Sequence, residues 1–252
     1  MPVGADPSFG WQDAVAAFAI VAFLAFLVTW IVTDLLEVPR PPYVAILTVV
    51  TLGLGAGYLA WSGTALVDLV TKNLGWAVVA GFAAGGLMAP GLRRLPHGVP
   101  PEGRSRVRAL VWEGVVYGTV EALLLATLPV LALWQSLGAA GRTGSTWADL
   151  GSGAVAIVGA LIVIAVHHLG YREFRGPHAR AKLAGALLAC GIQALAFLVT
   201  GNLLAPVIAH IVLHAQMVLG GIEMPPSERV RPMPVVGGVS RPASRRTSDA
   251  VR

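Results

Sequence analysis

Apolar residues in this chain fall in long runs, without the short alternating patterns of soluble strands. About seven runs stand out: Ala14 to Val32, Tyr43 to Trp61, Gly75 to Leu92, Ala109 to Trp134, Leu150 to His168, Leu183 to Thr200 and Leu203 to Gly221. Each is close to the ~20 residues that cross a ~30 Å hydrocarbon core. The runs are rich in Ala, Leu, Val and Gly and lack the period-two pattern of a membrane barrel. In lipid, their backbone can then be satisfied only by helices. The expected fold is all-α, a polytopic transmembrane bundle of about seven helices. The first run is preceded by Asp6 and Asp13 and no basic residue, and it is long for a signal-peptide core, so it is expected to be a retained helix.

Composition agrees with this pattern. The chain is 56% hydrophobic and 12% charged, with a mean hydropathy of +0.72, values that exclude a soluble domain. All 18 Lys and Arg lie outside the runs. Arg40, the five arginines from Arg93 to Arg108, the four cations from Arg172 to Lys182 and the tail arginines fall after odd-numbered runs. Only Lys72 and Arg142 fall after even-numbered ones. The positive-inside rule then predicts an outside N-terminus, a cytoplasmic C-terminus and a multi-pass protein of the cell membrane. The isoelectric point near 10.0 is thereby explained by cytoplasmic loops, and no nucleic-acid partner is expected. Cys190 is the single cysteine, which excludes an intramolecular disulfide and a multi-cysteine metal site.

Residues 1–222 are expected to form the helical domain, with 1–108 as scaffold helices and 109–222 as the chemical core. In the scaffold, Gly53 with Gly57 and Gly81 with Gly85 read as close-packing faces. The segment between Arg93 and Arg108, with Pro96, Pro100, Pro101 and Gly103, is the expected boundary. Residues 223–252, rich in Pro, Ser and Arg, read as a disordered basic cytoplasmic tail.

Polar residues inside the runs carry the candidate chemistry, because an acid at membrane depth costs roughly 2.5 to 3.5 kcal/mol on insertion scales. The fourth run places Glu113, Tyr117 and Glu121 on one helical stripe that must face the bundle interior. The seventh run places His210 and His214 one turn apart on one face. Counting ~1.5 Å per residue puts Glu121 and both histidines at similar depth near the midplane. His167 and His168 close the fifth run at the cytoplasmic boundary.

The stretch from Glu113 to Gly221 resembles the core of the CPBP intramembrane proteases, the group of type II CAAX prenyl endopeptidases and bacterial Abi proteins. Gly201 to His214 is similar to that family's last motif, with His210 on its His and His214 where Asn usually stands. Ile164 to His168 is similar to the Phe-x-x-x-His motif, with Ile for Phe. Glu121 matches the leading Glu of Glu-Glu-x-x-x-Arg, while Ala122 and Ala126 stand at the second Glu and the Arg. The resemblance implies hydrolysis of a membrane-associated peptide or protein. Glu121 would be the base on a water, His168 its positioner, and His210 and His214 the oxyanion stabilisers. Glu113 and His167 are auxiliary candidates, and a pairing of Glu113 with His168 stays open.

Two other readings also stay open. One is a catalytically inactive relative that binds a membrane partner or lipid through the same cavity. The other is a small transporter or proton path. No cofactor is expected, although a divalent metal such as zinc would suit the same Glu and His set. The remaining expected partner is the lipid bilayer, and no oligomeric state follows from the pattern.

Overall fold

The computed structural model describes residues 10–176 and 179–224. The expected tail from residue 225 onward lies outside the described residues, as does His178. Among the described residues the chain forms eight helices and no strand. They are α1 (Trp11–Leu35), α2 (Arg40–Ser62), α3 (Leu66–Thr71), α4 (Leu74–Leu92), α5 (Gly103–Ala139), α6 (Thr146–Leu169), α7 (Ala179–Thr200) and α8 (Leu204–Leu219). Six of them, all but α3 and α8, are long and apolar enough to cross a bilayer. This is an all-α bundle of the kind the hydrophobic runs predict, and a multi-pass membrane protein.

Two elements differ from expectation. The last run forms a helix of only 16 residues, about 24 Å long. Just before its start, Asn202 forms a turn in which its Oδ1 accepts from the Leu204 amide at 2.8 Å. Beyond its other end, Gly221 turns the chain at φ +62°. The fourth run grows instead to a helix of 37 residues. Arg104, Arg106 and Arg108 occupy its first turns, being good helix formers that need not enter lipid.

Hydrogen bonds sort the helix ends into two faces. On one face, Arg175 pairs with Asp34 at 2.7 Å, the Gly98 amide donates to the Gly221 carbonyl at 2.9 Å, and Arg40 Nη1 donates to the Met224 carbonyl at 2.6 Å. The chain after α1, α4, α6 and α8 therefore meets there, and Arg40, Arg93, Arg94, Arg172 and Arg175 make it the arginine-rich face among the described residues. On the opposite face, Asn202 Nδ2 donates to the carbonyls of Val70 and Lys72 at 2.8 and 2.6 Å. There too, Tyr58 donates to Gln135 and Gln135 donates to Thr64 at 2.9 Å. Such pairings satisfy polar groups that the lipid cannot.

The core forms around α5. Within its most apolar window 78% of residues are buried, against 22% for α2, so α5 is central and α2 turns mainly to lipid. Helix α8 packs closely on α4 because Gly81 and Gly85 leave room for it. A Cβ at either would come within 2.7 Å of Ile208 Cβ or 2.6 Å of Val212 Cβ. The expectation of a packing face at Gly81 and Gly85 fits this contact. Gly53 and Gly57 differ, since a Cβ there would meet nothing within 4 Å. A second small-residue pair, Gly114 and Gly118 on α5, faces α8, and a Cβ at Gly118 would lie 3.3 Å from the backbone of His210 and Ile211.

Candidate functional site

Glu121 stands midway along α5. On either side of it the helix widens to i→i+5 winding, over Leu110–Tyr117 and Ala122–Thr127. Widened turns of this kind often accompany functional positions, because they rotate side chains out of α-helical register. Pro129 follows within the same helix, and Thr127 Oγ1 donates to the Ala122 carbonyl at 3.1 Å, so a hydroxyl supplements the backbone ladder there.

Three imidazoles surround the Glu121 carboxylate. Nε2 of His210 and Nε2 of His214 each lie 3.1 Å from Oε2. Nε2 of His167 lies 3.8 Å from Oε1. The structure thus brings together Glu121, His210 and His214 from the sequence candidates, and adds His167 as the third imidazole. His168 turns elsewhere: its Nδ1 donates to the Ile164 carbonyl at 2.9 Å, and its ring packs on Phe174 at 4.5 Å. His168, expected beside the carboxylate, is therefore not in contact with it, and His167, expected only as an auxiliary residue, stands there instead. Adjacent helical residues point ~100° apart, so only one of the two can face α5.

Glu113 also departs from expectation. Its carboxylate lies 3.7 Å from Arg40 Nε with 31% of the side chain exposed, so its charge is engaged at the rim by Arg40, in place of a pairing with His168. Its backbone carbonyl, however, accepts from His214 Nδ1 at 3.0 Å.

The other ring nitrogens are equally engaged. His210 Nδ1 meets Gln193 Oε1 on α7 at 2.6 Å. His167 Nδ1 lies 3.1 Å from the Ala25 carbonyl and 3.0 Å from Thr29 Oγ1, both on α1. Behind His167 a tyrosine cluster closes the site. Tyr171 OH is 3.3 Å from His167 Nε2, 2.7 Å from Tyr43 OH and 2.8 Å from Tyr117 OH. Burial pushes the Tyr171 phenol well above its ordinary pKa, so it stays neutral. Arg40 lies over the Tyr117 ring at 5.0 Å.

Sequence reasoning missed Gln193, Thr29, Tyr43, Tyr171 and the role of Arg40. Gln193 carried a readable signal, an amide within an apolar run; the others carried none. Helices α1 and α2, expected to be scaffold, thus contribute directly to the site.

The cluster sits nearer one face than the midplane expectation. Tyr43 is in the first turn of α2, His167 is in the last turn of α6, and His214 is little more than a turn from the end of α8. It therefore lies roughly one to two turns, about 5 to 11 Å, beneath the arginine-rich face. Glu121, His210 and His214 are 6%, 5% and 4% exposed and His167 is fully buried. The donor atoms of Glu121, His210 and His214 lie within 4.8 Å of one another, a spacing that could hold a metal ion. Chemically, the arrangement joins an acceptor-only carboxylate to imidazoles that can exchange protons with it.

In comparison with known proteins, no family model matches this chain, and no curated protein or solved structure matches it.

Proposed function

We propose that this chain is a CPBP-like intramembrane peptidase that hydrolyses a membrane-associated peptide or protein from the arginine-rich, cytoplasmic side of the cell membrane. The observation that carries the reading is the contact of Glu121 with His210 at 3.1 Å, joining two helices whose residues resemble the family's motifs. A buried carboxylate with imidazoles on both oxygens is suited to take a proton from a water. An imidazole that carries its second proton can donate Nε2–H to the carbonyl oxygen of the scissile bond as charge develops there. The tyrosine cluster and the Ala25 carbonyl hold His167 in orientation beside that water.

The test uses the full-length protein in liposomes with prenylated and single-span peptides as substrates. Cleavage is expected, and Glu121→Gln should slow it by about 10²- to 10⁴-fold with the thermal midpoint little changed. An absence of cleavage across both peptide classes, or an equal rate in the variant, counts against the reading.

One observation favours a second reading, that of a non-catalytic relative binding a membrane partner or lipid. Ala122 and Ala126 are completely buried, so small packing residues fill the positions at which the family's motif carries Glu and Arg. Partner capture that survives Glu121→Gln would favour it.

A further inference from the structure

Water and a peptide must both reach Glu121 if it is to act on either, yet Glu121, His210, His214 and His167 are all buried. Toward the arginine-rich face the cluster is covered in layers. The Tyr117 ring packs on the His214 ring at 5.1 Å, the Arg40 guanidinium lies over Tyr117 at 5.0 Å, and Arg40 Nη1 donates to the Met224 carbonyl at 2.6 Å. Met224 belongs to a short strap, residues 220–224, that follows α8. The chain reverses at Gly221, where the Ile222 amide donates back to the Met217 carbonyl at 2.9 Å. Ile222 and Met224 are then buried while Glu223 between them is exposed. Among the described residues, two hydrogen bonds tie this strap to neighbouring segments: the Gly98 amide on the Gly221 carbonyl at 2.9 Å, and Arg40 on Met224.

The closed arrangement leaves Arg40 short of partners. Its Nε and Nη2 are buried with no hydrogen-bond acceptor among the described residues. The Glu113 carboxylate, 3.7 Å from Nε, offers charge but stands beyond hydrogen-bond reach. These two nitrogens lie on one edge of the guanidinium, an edge suited to pairing with two oxygens at once. Donors of a charged group left bare in the interior carry a desolvation penalty. Lifting the strap lets water reach them, and that gain offsets part of what is lost with the Met224 hydrogen bond and the burial of Ile222 and Met224. Closed and open states are thereby brought closer in free energy, while the helices beneath keep their own hydrogen bonds. We infer that residues 220–224 are a gate across the mouth of the Glu121 site at the arginine-rich face, latched shut by Arg40.

The gate deepens the peptidase reading and takes its autoinhibitory role from it, but its motion needs no substrate and is measured directly. The experiment uses the full-length protein in detergent with Cys190→Ala, so that the native thiol is absent. Met224→Cys places a thiol in the strap and, in a separate protein, His214→Cys places one in the site beneath. Both should react slowly with a water-soluble maleimide. Adding Arg40→Leu should speed both about 10-fold or more, as expected for the loss of a hydrogen bond from a charged group. No acceleration at either position, or acceleration at Met224→Cys alone, overturns the inference. Thermal melting checks the fold. Should Arg40→Leu not fold, hydrogen exchange of the unaltered protein decides: the Ile222 amide should exchange at least about 10-fold faster than amides of α8 near His210, through local opening, and equal rates overturn the gate. With Glu121 and the histidines intact, Arg40→Leu should also raise the cleavage rate. Faster labelling with unchanged or slower cleavage overturns the autoinhibitory role, whereas cleavage by no form of the protein counts against the peptidase reading and leaves the labelling result to decide the gate.

Discussion

His167 Nε2 lies 3.8 Å from Glu121 Oε1, while His168, the next residue in the chain, gives its Nδ1 to the Ile164 carbonyl at 2.9 Å. The two rings are close, with centroids 5.3 Å apart, yet only one belongs to the carboxylate. On the peptidase reading, His167→Ala should reduce cleavage of a membrane-anchored peptide by about 10²-fold or more, the usual lower bound for an acid–base group. His168→Ala should leave the rate within a few-fold, since its loss removes packing on Phe174 and no contact with the carboxylate. Initial rates of both variants in the same liposomes decide this; the reverse order would restore His168 to the role first expected of it.

The approach of α5 to α8 depends on Gly118, where a Cβ would lie 3.3 Å from three backbone atoms of His210 and Ile211. Backbone cannot step aside as a flexible side chain can. Gly118→Val should therefore force the helices apart, costing about 1 to 3 kcal/mol as overpacked cores do, and should separate Glu121 from His210. Gly57→Ala is the natural contrast, since nothing lies within 4 Å of its added methyl. A small gain from helix propensity, up to about 1 kcal/mol, is expected there. Thermal midpoints in one detergent compare the two, and a Gly118→Val midpoint equal to wild type would contradict the close packing described.

At the opposite face, Gln135 accepts from Tyr58 and donates to Thr64 at 2.9 Å, all three being buried. Gln135→Leu keeps the size of the side chain but withdraws both hydrogen bonds. The expected cost is about 1 to 3 kcal/mol from buried groups deprived of these partners. Gln135 is 14 residues from Glu121 along α5, about 21 Å. The variant should therefore lower the melting temperature while leaving the cleavage rate unchanged. A variant that lost activity with its stability intact would mean that the two ends of the bundle are coupled.

Several features could be read before any coordinates. Helices were required wherever a run was long and apolar, because lipid offers no partner to an exposed amide. The alternation of arginine-rich and arginine-poor segments agrees with the hydrogen bonds that gather helix ends into two faces, from Arg175 with Asp34 to Asn202 with Val70. Glu121, His210 and His214 announced themselves through the cost of placing a polar group in hydrocarbon, and that cost is lowered when such groups meet one another.

Other features depended on how each helix is rotated and wound. Hydropathy cannot choose between His167 and His168, whose burial and partners differ only through the orientation of α6. It also cannot foresee the i→i+5 turns flanking Glu121, because an apolar run fits α and wider winding alike. Tyr43, Thr29 and Tyr171 look like ordinary residues of helix ends and loops, and they reach the site only because α1, α2 and the segment after α6 converge beneath one face. The sequence alone thus determined which polar groups must find partners, since that follows from transfer energies residue by residue. The tertiary structure decided which partners they found, since that depends on distances between atoms far apart in the chain.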